Sequence, residues 1–131
     1  RRVLFRSRRM QLLMDLSLNL KGMVSQRLLP RENAKGRVAV IEIMLNSPLI
    51  SDMIFKGEVG EIKEVMKRSR DIGMQTFDQA LFDAFEEGTI SYQDALRNAD
   101  SQNDLRLQIK LHSQRAATTD LAAGTEHLAV L

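Results

Sequence analysis

The sequence predicts a mainly helical fold with one small β-hairpin, and three observations carry that prediction. Apolar residues recur at helical spacing both near the start, over residues 12–20, and in the middle, over residues 77–85. Residues 37–45 (RVAVIEIML) break that rhythm with a run rich in β-branched side chains. Serine, threonine, proline and glycine fall where helices start and stop.

Taken in order, residues 9–23 place Leu12, Leu13, Leu16, Leu20, Met23 and Val24 on one stripe, with Asp15, Asn19 and Lys21 off it. That predicts an amphipathic helix. Residues 26–30 (QRLLP) read as extended and residues 31–36 (RENAKG) as a polar loop, so the hairpin is expected to pair 26–29 with 37–45. In the second strand Ala39, Ile41, Ile43 and Leu45 share one face, while Val38, Val40 and Met44 share the other with Glu42. A strand apolar on both faces belongs in a sheet covered on both sides, so either the helices wrap it or its sheet partners are missing; the second is favoured and points to the tail of a larger α/β protein.

In residues 46–57 (NSPLISDMIFKG) Ser47 is the expected N-cap, Pro48 sits in the first helical turn and Gly57 ends the helix. Residues 58–73 (EVGEIKEVMKRSRDIG) put Val59, Ile62, Val65 and Met66 on one face, acids first and bases last, with Gly73 past the end. Thr76 to Gln79 reads as a capping box opening a helix with a Phe77, Ala80, Leu81, Ala84 and Phe85 stripe, stopped by Gly88. Ser91 caps a shorter helix carrying Tyr92, Ala95, Leu96 and Ala99, and Ser101 caps one more turn. Residues 105–111 (LRLQIKL) alternate strictly and are read as a short strand, with a helix as the rival.

Composition bounds the chemistry. With 131 residues, 44% apolar and 27% charged, the chain is one ordinary globular piece. It has no cysteine, hence no disulfide and no thiolate metal site. The formal charge of +2 and the pI of 9.2 rest on the opening RRVLFRS. Without Arg1, Arg2 and Arg6 the 19 basic residues fall to 16 against 17 acidic, which argues against a phosphate-tracking groove and a nucleic-acid partner. No glycine is followed by lysine, so there is no Gly-Lys-Ser/Thr phosphate loop. The two histidines, His112 and His127, lie in a stretch read as weakly structured tail and argue against a metal or His-based site. Glu86 and Glu87 are adjacent, diverge on a helix and read as a solvated face. Glu42 needs a partner in its apolar strand, and a salt bridge to Arg37 or to a neighbouring strand is expected slightly ahead of any catalytic role. The seven methionines read as core packing. No catalytic, cofactor-binding or metal residue emerges from the residues alone.

Residues 12–30 (LLMDLSLNLKGMVSQRLLP), 35–54 (KGRVAVIEIMLNSPLISDMI), 57–81 (GEVGEIKEVMKRSRDIGMQTFDQAL) and 94–111 together resemble the C-terminal end of the PilT/PilU family of type IV pilus retraction ATPases, PilU-like branch. The similarity covers about residues 8–111; GMQTFDQAL is its strongest signature and GRVAVIEI the next. The signature residues are Arg37, Glu42, Gly73, Met74, Gln75, Thr76, Phe77 and Asp78, with a structural or interface role implied.

The resemblance implies the C-terminal portion of a RecA-like α/β P-loop ATPase domain. Residues 1–7 are then expected to be a non-native leader and 112–131 a flexible tail. The family's Walker A and B motifs and its Asp and His boxes lie before the matching region, so this chain alone is expected to be inactive and to hold no cofactor. ATP and Mg belong to the full-length relative. The implied partners are copies of itself in a hexamer, a paralogous PilT-like motor and the inner-membrane pilus platform protein, in the cytoplasm at the inner face of the inner membrane. Leu49, Ile50, Ser51 and Asp52 stand where PilT carries an Ala-Ile-Arg-Asn motif associated with retraction, a departure that suits the PilU-like branch as an accessory motor. The alternative is a non-enzymatic helical interaction module derived from the same family, distinguished by whether an upstream reading frame encodes a P-loop.

Overall fold

A computed structural model of the chain describes residues 2–119. Helix α1 (Arg2–Asn19) leads into an antiparallel hairpin of β1 (Gly22–Pro30) and β2 (Arg37–Leu45). There follow α2 (Pro48–Lys56), a 3₁₀ turn (Val59–Glu61), α3 (Ile62–Lys67), a second 3₁₀ turn (Arg70–Ile72), α4 (Phe77–Glu86), α5 (Tyr92–Arg97), α6 (Gln102–His112) and α7 (Gln114–Thr119). The mainly helical class with one hairpin is as the sequence predicts. No helix among the described residues is long and apolar enough to cross a membrane.

The chain forms two compact units, Arg1–Ser25 with Glu42–Thr76 and Gln26–Ile41 with Phe77–Leu131. In the first, α1 packs on α2, and Met44, Ile50, Ile54, Ile62, Val65, Met66 and Met74 form the core. Asn46 ties the corner after β2: its Nδ2 donates to the Leu20 carbonyl at 2.7 Å and to the Ser17 carbonyl at 3.4 Å. Ser51 Oγ also donates to the Ser17 carbonyl. These bonds take up carbonyls that the end of α1 leaves without helical partners. Helix α2 has the predicted caps, with Ser47 Oγ accepting from the Ile50 amide, Pro48 in the first turn and Gly57 closing the end.

In the second unit the core is Leu29, Val40, Phe77, Leu81, Phe85, Ile90, Ala95, Leu96, Leu105 and Ile109. Ser91 Oγ accepts from the Asp94 amide at 3.1 Å and Ser101 Oγ from the Asp104 amide at 3.4 Å, so both predicted serine caps form.

Several expectations need correction. The first helix ends at Asn19, not Met23, and β1 starts at Gly22 rather than residue 26. A Cβ on Gly22 would stand 2.9 Å from the Met44 carbonyl oxygen, so the strand can close against β2 there because the residue is glycine. Met23 and Val24, placed by periodicity on a helical stripe, are strand residues and exposed. Residues 105–111 are helix, not strand. Their alternation contains two i,i+4 pairs, and a helix satisfies both: Leu105 and Ile109 are buried while Leu107 and Leu111 face outward.

The single helix read over residues 58–73 is instead six helical residues between two 3₁₀ turns, and Val59 is exposed. Met44, Met66 and Met74 are buried, but Met10, Met14 and Met23 are not core residues. His112 ends α6 rather than lying in a tail. His127 and the rest of that tail beyond Thr119 lie outside the described residues.

Candidate functional site

The most strongly patterned signature, Gly73 to Asp78, is the natural place to look for a site. It begins where the second 3₁₀ turn stops. Gly73 takes φ 100°, a left-handed conformation that costs a side chain roughly 1–2 kcal/mol. Its amide donates to the Arg70 carbonyl at 3.1 Å, and the Met74 amide to Ser69 at 3.1 Å. The reversal drops Met74, 2% exposed, into the core of the first unit.

Gln75 then lies antiparallel to β2. Its amide donates to the Ile43 carbonyl at 3.0 Å, and the Ile43 amide returns the bond to Gln75 at 2.9 Å. This short pairing occupies backbone groups on an edge of β2 that would otherwise need water or another strand. Thr76 is buried, 2% exposed.

Phe77 opens α4 and belongs to the second unit's core. The Arg27 guanidinium lies 4.0 Å from its ring centroid. Arg27 also donates to the Asn98 carbonyl and, at 3.1 Å, to Asp100 Oδ1. Asp78 uses both carboxylate oxygens on backbone, accepting from the Asp100 amide at 2.8 Å and the Ser101 amide at 3.1 Å. One arginine and one aspartate therefore hold the turn between α5 and α6 against the start of α4.

The two remaining signature residues lie elsewhere. Arg37 begins β2 and is exposed. Glu42 does not pair with it; the two are five residues apart on a strand and so point to opposite faces. Glu42 instead forms an ion pair with Lys63 of α3, its side chain 15% exposed. The expected strand partner is thus replaced by a helix lysine. Arg27 and Arg115, which carry much of the second unit's polar bonding, were not singled out in the sequence. Neither falls in a recognisable motif, and only inward register in β1 would have marked Arg27.

Among the described residues one amine and one carboxyl are shifted from their ordinary values. Asp52, by hydrogen bond and then by charge, raises the exposed Lys56 ammonium. Glu86 is lowered first by the Ser113 hydroxyl that donates to it, with the Arg115 and Gln114 amides and the Arg115 charge adding to the effect against desolvation. Among the described residues no three His, Cys, Asp or Glu side chains gather as a metal-holding group. Of the signature, Met74, Thr76 and Phe77 are buried, Asp78 bonds to backbone, Glu42 pairs with Lys63 and Arg37 is exposed.

No family model matches the chain. It is 60% identical over 107 residues to the type IV pilus ATPase PilU of Pseudomonas aeruginosa, a match covering 82% of this chain and 28% of that protein. It is 33% identical over 84 residues to the type IV pilus retractation ATPase PilT of the same organism, covering 64% of this chain and 24% of that one. A twitching motility protein of Neisseria gonorrhoeae is 32% identical over 90 residues, covering 69% and 24%. The chain thus spans about a quarter of the length of the curated relatives it matches. Its backbone superposes on a crystal structure of the pilus retraction motor PilT with bound ADP at a TM-score of 0.64 and 26% identity, covering 75% of this chain and 26% of that one. With the mainly helical fold and hairpin fitting a piece of a RecA-like ATPase domain, this chain belongs to the PilT/PilU family of type IV pilus ATPases.

Proposed function

We propose that the chain is the C-terminal part of a type IV pilus retraction ATPase of the PilU-like branch, and that it supplies framework to a motor whose ATP chemistry lies elsewhere. The observation that carries this is the 60% identity to PilU over 107 residues. The residues agree with the division of labour. With no Gly-Lys-Ser/Thr loop, this stretch has no cradle for the β- and γ-phosphates or for magnesium, so ATP and Mg belong to the rest of the motor. The signature residues Arg37, Glu42 and Gly73 to Asp78 serve as structure or as contacts between motor parts.

The segment at the PilT Ala-Ile-Arg-Asn position supports the PilU-like assignment. Ile50 is fully buried, Ser51 ties the end of α1, and Asp52 pairs with Lys56 at 2.9 Å. Ile50, Ser51 and Asp52 are thus occupied with packing and local bonding, while Leu49 is exposed. The full-length protein is a cytoplasmic bacterial hexamer at the inner face of the inner membrane. It works with a PilT-like motor on the inner-membrane platform protein, and couples ATP hydrolysis to pilus disassembly and twitching.

A segment exchange tests this. Residues 8–111 of this chain replace the matching stretch of the P. aeruginosa PilU, and ATP hydrolysis and twitching are measured. The chimera is expected to hydrolyse ATP and restore motility. A chimera that folds and assembles but does neither would refute the assignment.

A further inference from the structure

Helix α7 is attached to the second unit by charge at its first turn. The Glu86 carboxylate, at the end of α4, accepts from the Ser113 hydroxyl and from the amides of Gln114 and Arg115, each at 3.2 Å. Ser113 Oγ accepts in turn from the Ala116 amide at 2.9 Å. Running the other way, Arg115 Nη1 donates to the carbonyls of Phe85 at 2.9 Å and Ile90 at 2.8 Å. Its Nη2 pairs with the Glu32 carboxylate, and its guanidinium lies 4.5 Å from the Phe85 ring centroid.

One guanidinium therefore joins the end of α4, the α4–α5 loop and the hairpin turn. The turn meets that loop independently, because the Glu32 amide donates to the Thr89 carbonyl at 2.9 Å. With Arg115 22% and Glu32 27% exposed, these charge-assisted bonds work partly out of bulk water, where they are stronger than at an open surface.

We infer that α7 is a charge-latched strap, held closed by Glu86 and Arg115, and that through Arg115 the strap and the hairpin turn loosen together. Two features make this a latch. Its bonds run to three segments distant in sequence, and little apolar packing backs them: among the described α7 side chains Ala116 is the apolar one that packs against the core. Seating α7 places Arg115 where it can reach Glu32; holding Glu32 fixes the guanidinium that anchors α7. Such coupling is reciprocal, so loosening either end must loosen the other.

Hydrogen exchange on the whole 131-residue chain tests it. Glu86→Ala removes the α7 cap without touching the turn, yet it should speed exchange of the Glu32 amide about tenfold, the scale set by losing charged hydrogen bonds. Glu32→Ala should in return speed the Ala116 and Ala117 amides. Amides 81–85 inside α4 should keep their protection in both. Arg115→Lys, which keeps the charge but loses the planar fork, provides a gentler variant with the same two readouts. Exchange that rises only beside each substituted residue would overturn the coupling. A rise of equal size across α4 would also overturn it, since the variants would then be reporting global unfolding.

Discussion

Twelve of the fifteen large apolar side chains left exposed among the described residues belong to the first unit; Leu28, Leu107 and Leu111 are the three in the second. Both units have similar raw materials, yet they finish their cores differently. The second closes on itself. Arg27 lies over Phe77, Arg115 over Phe85, and caps at Ser91 and Ser101 complete helices that converge on Leu81 and Ile90. In the first, Leu13 of α1 and Leu20 just past its end are partly buried against the core, while Met10, Leu12, Met14, Leu16 and Leu18 are exposed. The difference teaches that the first unit leaves more of its large apolar side chains in water than the second does.

The largest effect should come from breaking the closed unit. Phe85→Ala removes a side chain 3% exposed together with the ring beneath Arg115. It should cost about 3–5 kcal/mol in a urea unfolding curve. A loss below that range would mean the second unit is looser than its packing indicates.

Next is Arg27→Ala, which deletes bonds to Asn98 and Asp100 and the contact with Phe77. The side chain is 38% exposed, so a loss of roughly 1–2 kcal/mol is expected rather than a buried-charge penalty. Arg27→Lys should recover little of it, because the paired bonding and stacking need a planar fork.

Gly73→Ala should cost roughly 1–2 kcal/mol through its φ of 100°. It sharpens the comparison because it acts in the first unit by backbone strain alone, with the nearest atom to the new Cβ being Leu45 Cδ1 at 3.6 Å, an ordinary contact. Thermal unfolding of the variant measures it.

Acid should act on Glu86 more gently. Its carboxyl is held below its ordinary value of 4.5, chiefly by the Ser113 hydroxyl. The stabilisation is therefore fully present above the unfolded value and is lost as pH falls through the lowered folded value. Stability should decline below the ordinary carboxylate range, and Glu86→Gln should flatten that part of the profile in a pH series of melts.

The smallest effect on stability is expected at the open surface. Met10→Lys with Leu18→Lys should change unfolding free energy by no more than about 0.5 kcal/mol per site. The same pair, 67% and 72% exposed in the native chain, should reduce binding of an apolar dye and self-association in sedimentation. Unchanged dye binding would place the sticky surface elsewhere.

Much of the fold was legible because its signals are local. Ser47, Pro48 and Gly57 bound α2 where their backbone preferences put them, and the β-branched run from Arg37 to Leu45 is a strand. The signature from Gly73 to Asp78 was visible as pattern but not as geometry. Nothing in GMQTFD shows that Asp78 will take the Asp100 and Ser101 amides, since those lie 22 and 23 residues away.

By itself, then, the sequence determined the helical punctuation, the hairpin's second strand, the absence of a phosphate loop and the family, all of which depend on neighbours in the chain or on residue identity. Tertiary structure decided what periodicity leaves open. It turned LRLQIKL into a helix, because Leu105 and Ile109 found the second unit's core on one side. It ended α1 early, where Asn46 and Gly22 let the chain turn into a strand. It gave Glu42 a lysine from α3 rather than an arginine from its own strand. In each case a side chain's fate depended on a group brought near only by folding, and burial is a property of that nearness.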